Sequence, residues 1–427
     1  MGKSFLLATW EGGGSVTPVL ALAQDLVARG HSVRVMSDAC NRPETEAAGA
    51  RFVAWTRAPS RLGREREYDG WNDPDADPMQ EMRNYLRHQF IGVAQACAED
   101  LIEELNREPV DLVIALDMLF GAPLACEAIG QKHVLLGVNI NMFPHPAFIP
   151  LGPGFKPART DEERALHEEV RQAQHAMLDE FLPTLNAARA HLGLAPLAHA
   201  VDQLRTGSRF ILATSRAFDF APEILPEHYV YVGPIVGEPA WAQAWASPFA
   251  AEDRRPLALV AFSTTYQHHA GVMQKVADAI APFDMKAAMT LGSIRRDEIA
   301  APDNVAVLES APHAPILAEA AFAIMHGGHG TLMKTLAAGK PMLILPHGRD
   351  QDDNAVRIVE RGAGLALSPS ASVEEIRAAV SRLLTEPHFA RAAQALGAEV
   401  RREIEASPLL ALLEQEAGPS ADLRPAA

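Results

Sequence analysis

The sequence predicts an α/β protein of two domains, each an open parallel sheet with helices on both faces. Three observations carry that expectation. Apolar strand-like runs alternate with helical periods from residue 5 to residue 139, and the same alternation restarts at Leu257. Between Gly233 and Pro256 it stops. The length of 427 residues also exceeds what one hydrophobic core ordinarily holds.

In the first half, FLLAT (5–9) is a short apolar strand that runs into a glycine-rich turn, WEGGGS. Thr17 to Arg29 has helical periodicity, Gly30 stops it, and SVRVMS (32–37) is the next strand. DLVIALD (111–117) is a buried strand, followed by a helix through Ala128 and the strand HVLLGVN (133–139). Strand, helix and strand in succession imply right-handed crossovers and parallel pairing. A charged, alanine-rich helical insertion occupies about 158–192. GPIVGEPAWAQAWASPFAAEDRRP (233–256) has four prolines and no sustained period, and it reads as the inter-domain linker. The second half supplies LALVAFST (257–264), MKAAMTLG (285–292), NVAVLE (304–309), FAIM (322–325) and MLILP (342–346) as strands. The expected units are therefore 1–232, the linker 233–256, 257–405, and an amphipathic helix with a frayed tail over 406–427.

Composition narrows the function. A formal charge of −16 argues against a nucleic-acid partner, whose proteins present basic surfaces. Three widely spaced cysteines fit a reducing compartment without a disulfide framework. No apolar run is long enough to span a bilayer, and the N-terminus is a poor secretory signal, so a cytoplasmic location is expected.

The strongest chemical signal is FAIMHGGHGTLMKTLAAGKPMLILPHGRDQDDNAVRIVERGAG (322–364). A strand ends at Met325, a four-residue turn follows, and a helix runs from about Thr331 to Ala338. A second strand then delivers Asp350 and Gln351. Ligands of open parallel sheets sit outside the carboxyl ends of the strands, where both loops fall. Gly327, Gly328 and Gly330 let the backbone approach a ligand, and the helix start adds positive potential, so an anion such as a diphosphate is the natural guest. His326 and Thr331 can donate to the same oxygens. A P-loop would need Gly-Lys-Ser/Thr where the chain has Gly-Thr-Leu, and a dinucleotide fingerprint would need glycine at Met333. A metal at His326 and His329 would lack supporting ligands.

HGGHGT, AAGKPMLILP and DQDDNA followed by RGAG resemble the donor-binding signature of family 1 glycosyltransferases with the GT-B fold. The resemblance also covers the opening strand-turn-helix, the strand bearing Asp117, and the linker. It implies two facing Rossmann-like domains with a C-terminal helix crossing back. It further implies that His326, Gly330 and Thr331 bind a diphosphate, with Gly328 giving backbone approach, and that Asp350 and Gln351 bind the donor sugar. Ser263 and Thr264 match positions touching phosphates or sugar, and Pro312 and His313 match the loop over the base. The implied partners are a TDP- or UDP-sugar co-substrate and a small-molecule acceptor, with no bound metal and no further cofactor, in a monomer or dimer. DPDADP (73–78) superficially resembles the metal-binding Asp-x-Asp of the other transferase fold, but its prolines and loop setting make it a solvated acidic turn.

In that family the general base is a histidine in a Gly-His-Val-x-Pro pattern, whereas this chain has Gly14-Ser15-Val16-Thr17-Pro18. Ser15 has too high a pKa to act alone. Asp117 matches the aspartate that orients the missing histidine and ranks first as its replacement, ahead of Glu11 and then His145. A helix cap is the competing reading of Asp117, and an acidic acceptor such as a phenol needs little base at all. Trp10, Tyr85, Phe90, Met118, Phe120, Met142, Phe143 and Phe148 are the candidate acceptor wall, although each alone is more often core. His268 and His269 read as solvated loop residues. The function expected is inverting sugar transfer to a small hydrophobic or aromatic acceptor. A relative that binds sugar nucleotide after losing its base is the alternative, and an epimerase of the same fold is a third.

Overall fold

The computed structural model describes residues 2–64, 68, 77–238, 245–264 and 269–418. Among these residues the strands form two sheets. The first contains β1 (Ser4–Ala8), β2 (Ser32–Ser37), β3 (Arg51–Ala54), β4 (Leu112–Leu116), β5 (His133–Gly137), β6 (Phe210–Leu212) and β7 (Tyr229–Tyr231), in the order β3-β2-β1-β4-β5-β6-β7. The second contains β8 (Leu257–Ala261), β9 (Lys286–Thr290), β10 (Val305–Leu308), β11 (Phe322–Met325), β12 (Met342–Ile344) and β13 (Gly364–Ala366), in the order β10-β9-β8-β11-β12-β13. Every pairing is parallel. Because helices cover both faces, the central strands are buried throughout rather than alternating, as Phe5, Leu6 and Leu7 illustrate.

Each sheet reverses its strand order once, between β1 and β4 and between β8 and β11, and a crevice opens at such a point. The registers are flush there. Ala8 pairs with Ala115, so Trp10 leaves β1 near where Asp117 leaves β4. Ala261 pairs with Met325, which sets Phe262 beside His326.

Several local expectations are refined. The insertion is two helices, Asp161–Asp179 and Leu182–His191, the first opened by a capping box between Thr160 and Glu163 and the second by Pro183 in its first turn. The helix after HGG starts at His329, two residues earlier than expected, because Gly328 is already its N-cap. Residues 73–76 of the DPDADP turn lie outside the described residues, but Asp77 caps the Pro78–Tyr85 helix by accepting from Met79 N and Gln80 N. Residues 239–244 and 419–427 also lie outside them.

The C-terminal Leu409–Ala417 helix packs Leu409, Leu413 and Ala417 into the core of the first sheet, so the chain does cross back. Lys3 Nζ donates to the Glu414 and Gly418 carbonyls, and Glu414 takes both Arg29 and His31 at 3.0 Å.

The two halves meet around one buried ion pair. Asp219, in the loop after β6, accepts from Arg357 Nε at 2.7 Å, with 3% and 5% of the two side chains exposed. Its other oxygen takes the Tyr231 hydroxyl at 2.6 Å. Nearby, Thr214 Oγ1 lies 2.8 Å from His329 Nε2, and Asp353 accepts from Gly152 N at 3.0 Å. Asp219→Ala would leave Arg357 buried without its carboxylate. Such truncations cost about 3–5 kcal/mol, which is the loss expected from urea unfolding of the variant against the parent.

Candidate active site

Between the carboxyl ends of the two sheets lies a cavity of about 550 Å³, a size usual for small-molecule sites. Nine predicted donor residues line it, namely Ser263, Thr264, His313, His326, Gly328, Gly330, Thr331, Asp350 and Gln351, whereas Pro312 does not. Local sterics explain the turn at its centre. Gly327 has φ +101°, which disfavours any side chain. A Cβ on Gly328 would lie 2.4 Å from His326 Nε2, whereas one on Gly330 would meet nothing within 4 Å. The second glycine seats the imidazole and the third leaves backbone open to a guest. The first N–H groups of the His329–Ala337 helix add a favourable field for an anion.

Burial pushes the His326 imidazole down to about 3, although the Ala261 carbonyl offers it an acceptor. The ring is thus neutral, and its Nδ1 has no hydrogen-bond partner. His313 is held down to about 4 by burial and then by Lys334, with Glu238 opposing. Lys334 Nζ and Glu238 form an ion pair at 2.9 Å on the cavity wall, and Glu238 also accepts from Ala314 N at 2.8 Å. Asp350 is buried, which raises its pKa even though Asn354 donates to it at 2.8 Å. Gln351 Oε1 accepts from His347 N at 2.7 Å. Arg349 has a left-handed backbone, φ 59°, and its guanidinium sits over the Tyr85 ring at 5.2 Å and donates to the Tyr85 hydroxyl across the cleft.

The opposite wall is aromatic. Trp10, Tyr85 and Phe90 line it together with Met82, Met118 and Met142. Leu86–Phe90 is one wide i→i+5 turn, and Tyr85 and Phe90, five apart, stack at 5.8 Å with Trp10 edge-on to both. Ser15 lines the cavity and its side chain makes no cap bond to the helix it precedes.

The remaining candidates require correction. Asp117 does not line the cavity. It turns toward β5, where a Cβ on Gly137 would come within 2.9 Å of its Oδ2, and it accepts from Met118 N. Burial pushes it up to about 7. Glu11 lines the cavity but is committed: Oε1 accepts from Gly13 N at 2.8 Å and Oε2 from Arg64 Nε at 3.0 Å. Arg64 also holds Glu44 and Asn41. His145 lies instead against Phe148 and Tyr229, its Nδ1 accepting from Ala147 N at 3.1 Å. Phe120 pairs with Phe143, and Phe143 with Phe210, as core rather than wall. His269 is not solvated but fully buried, its ring 4.4 Å from His347 and 5.7 Å from His326, while His268 lies outside the described residues. His329 faces Thr214 and Phe218, so it does not pair with His326. Arg349, Glu238, Lys334, Met82 and Arg64 were missed. Of these only Lys334 left a signal, being one helical turn beyond Thr331.

Two facing parallel-sheet domains with a cleft between their carboxyl ends define a GT-B protein. Comparison with known proteins agrees. The family model for the C-terminal domain of erythromycin biosynthesis protein CIII-like proteins matches residues 274–411. The chain is 27% identical over 400 residues to 4'-demethylrebeccamycin synthase of Lentzea aerocolonigenes, covering 91% of this chain and 93% of the relative. It is 26% identical over 402 residues to demethyllactenocin mycarosyltransferase of Streptomyces fradiae, covering 91% and 81%. Among solved structures it resembles the calicheamicin glycosyltransferase CalG4, with a TM-score of 0.73, 23% identity and 98% and 99% of the two chains covered. It also resembles the glycosyltransferase VinC solved with DTDP, with a TM-score of 0.66, 20% identity and 97% and 99% covered. The fold is thus GT-B, residues 274–411 match the C-terminal domain of that family model, and the chain as a whole is similar to the named relatives over about nine-tenths of its length.

Two expectations follow from the geometry. Gly328→Ala should push His326 out of its seat, so affinity for TDP in calorimetry should fall about tenfold or more, with little change in Tm. Asp117 should make stability pH-dependent. Its folded pKa lies above the unfolded carboxylate value, so the folded state binds more protons between about pH 4 and 7 and loses stability as pH rises through that window. Asp117→Asn should remove this loss, worth on the order of a few kcal/mol, and unfolding midpoints of parent and variant should diverge between pH 4 and pH 8.

Proposed function

We propose that the protein transfers a sugar from a TDP- or UDP-linked donor to a small hydrophobic or aromatic acceptor, with inversion and without a bound metal. The observation that carries this reading is the division of one cavity into two faces. One presents a helix start, a neutral histidine and an Asp-Gln pair, and the other a wall of Trp10, Tyr85 and Phe90. The relatives named above, a mycarosyltransferase among them, support sugar transfer as the reaction class. In the proposed step the acceptor oxygen attacks the anomeric carbon from the face opposite the diphosphate. The new carbon–oxygen bond forms as the bond to the leaving phosphate breaks. The departing charge is received by the N–H groups at the start of the His329–Ala337 helix, the Thr331 hydroxyl, the His326 ring and the Lys334 ammonium.

The acceptor proton is the discriminating issue. Of the four candidates for base duty, Asp117 and His145 lie off the cavity, Glu11 is ion-paired, and Ser15 is a poor base. We therefore propose an acceptor whose hydroxyl is itself acidic, such as a phenol, its proton passing to solvent and Ser15 hydrogen-bonding the oxygen. The same observation favours the second reading, a sugar-nucleotide-binding relative without turnover.

The test is incubation with TDP- and UDP-sugars and acceptors graded from nitrophenols to alkyl alcohols, read by mass. Phenols should be glycosylated, and alkyl alcohols should react about 10²-fold more slowly or worse, the span a general base usually covers. Donor binding by calorimetry with no glycoside from any acceptor would instead support the binding protein.

A further inference from the structure

A second cavity, about 760 Å³, shares no lining residue with the cleft. Arg164, His167 and Arg171 enter it from the Asp161–Asp179 helix, where spacings of three and four put them on one face. Arg216 comes from the loop after β6, and Arg361 from the second half of the chain, at the end of the Gln351–Glu360 helix. In a chain of net charge −16, four guanidinium groups here face one carboxylate, Asp219.

That carboxylate is already spent. Its Oδ1 accepts from Arg357 Nε and from Phe220 N, both at 2.7 Å, and its Oδ2 takes the Tyr231 hydroxyl. Arg361 donates to the Asp219 backbone carbonyl at 2.6 Å and lies over the Phe220 ring at 5.5 Å, and its buried Nε has no hydrogen-bond partner. Arg171 pairs through Nη1 with Glu168 and donates to the Phe148 carbonyl at 3.3 Å, and its buried Nε likewise has no partner. Arg164 pairs with the exposed Asp161, and Arg216 makes no ion pair among the described residues. Buried N–H groups left unpaired are costly, and guanidinium forks match carboxylate and phosphate oxygens. Between the charges the walls are apolar, formed by Phe148, Ile149, Phe220 and prolines.

We propose that this cavity is a second binding site, for a small organic anion that carries a carboxylate or phosphate on an apolar or aromatic body. The anionic head lies among Arg171, Arg216 and Arg361, and the body lies against Phe148 and Phe220. Because Arg361 and Arg171 belong to different halves of the chain, the ligand joins them.

The test uses the full-length protein with phenyl phosphate, benzoate, inorganic phosphate and neutral benzyl alcohol at constant ionic strength, read by calorimetry and thermal shift. Phenyl phosphate or benzoate should bind saturably and raise Tm, at least tenfold more tightly than inorganic phosphate, with no response to benzyl alcohol. Whichever of the two binds more tightly identifies the head group. Saturating TDP should not compete. Arg171→Gln with Arg361→Gln should weaken binding tenfold or more and leave TDP affinity unchanged. Arg216→Gln, at an exposed position, should weaken it several-fold even if the double variant fails to fold. Absence of saturable binding, competition by TDP, or undiminished binding in the variants would overturn the proposal.

Discussion

The cleft exists because two sheets are held with their carboxyl ends facing, and the ion pair between Asp219 and Arg357 is central to that arrangement. Arg357 stands two turns into the helix whose first residues follow Asp350, so the contact that joins the halves also fixes the Asp350 loop at the cavity. His329 makes a similar link from the neighbouring helix, whose first residues line the cavity. Both of these helices are thus anchored to the other half within their first two turns. The desolvation of two charges is offset here by a full set of hydrogen bonds, with Tyr231 and Phe220 N completing the carboxylate.

The same economy of charge governs the cavity wall around His326. A protonated imidazole at His326 would bring a positive charge into a dry wall among the rings of Phe262 and His269, and burial disfavours it. The neutral ring retains a donor and an acceptor and contributes by direction rather than by charge. Net positive potential comes instead from the helix start, while Lys334 is paired with Glu238, which ties the linker to the same wall.

Much of this was legible in the text of the chain. Strand runs, their alternation with helices and the glycine turn follow from local patterns, and the donor positions assigned from HGGHGT, DQ and the neighbouring loops line the cavity except for Pro312. What was not legible depends on which way a side chain turns at a strand end. Asp117 follows β4 as expected, yet strand order puts β5 on one side of it and a glycine there leaves room for its carboxyl. Phe120 and Phe143 illustrate the same ambiguity, since an aromatic after a strand can serve core or cavity. Tyr85 and Phe90 share a face only because the intervening turn is wide, which no helical period announces. His269 reads as polar loop text, but Phe262 and His347 enclose it from segments distant in sequence.

The glycine turn after β1 can now be interpreted by its electrostatics. The Val16–Ala28 helix begins there with no acidic residue in its first turn and no side-chain cap, so its N-terminal N–H groups present uncompensated positive potential toward the cavity. That field favours an acceptor oxygen that is losing its proton and disfavours a protonated base beside it. Glu11 would counter the field more strongly if its charge were unpaired, and Arg64, bound at once to Glu11 and Glu44, offsets one of those two charges. Under the proposed reaction the turn therefore lowers the cost of forming an oxyanion on the acceptor rather than removing its proton. A serine at residue 15 suits that task, because its hydroxyl can donate to a phenolate and a protonated histidine base is not required.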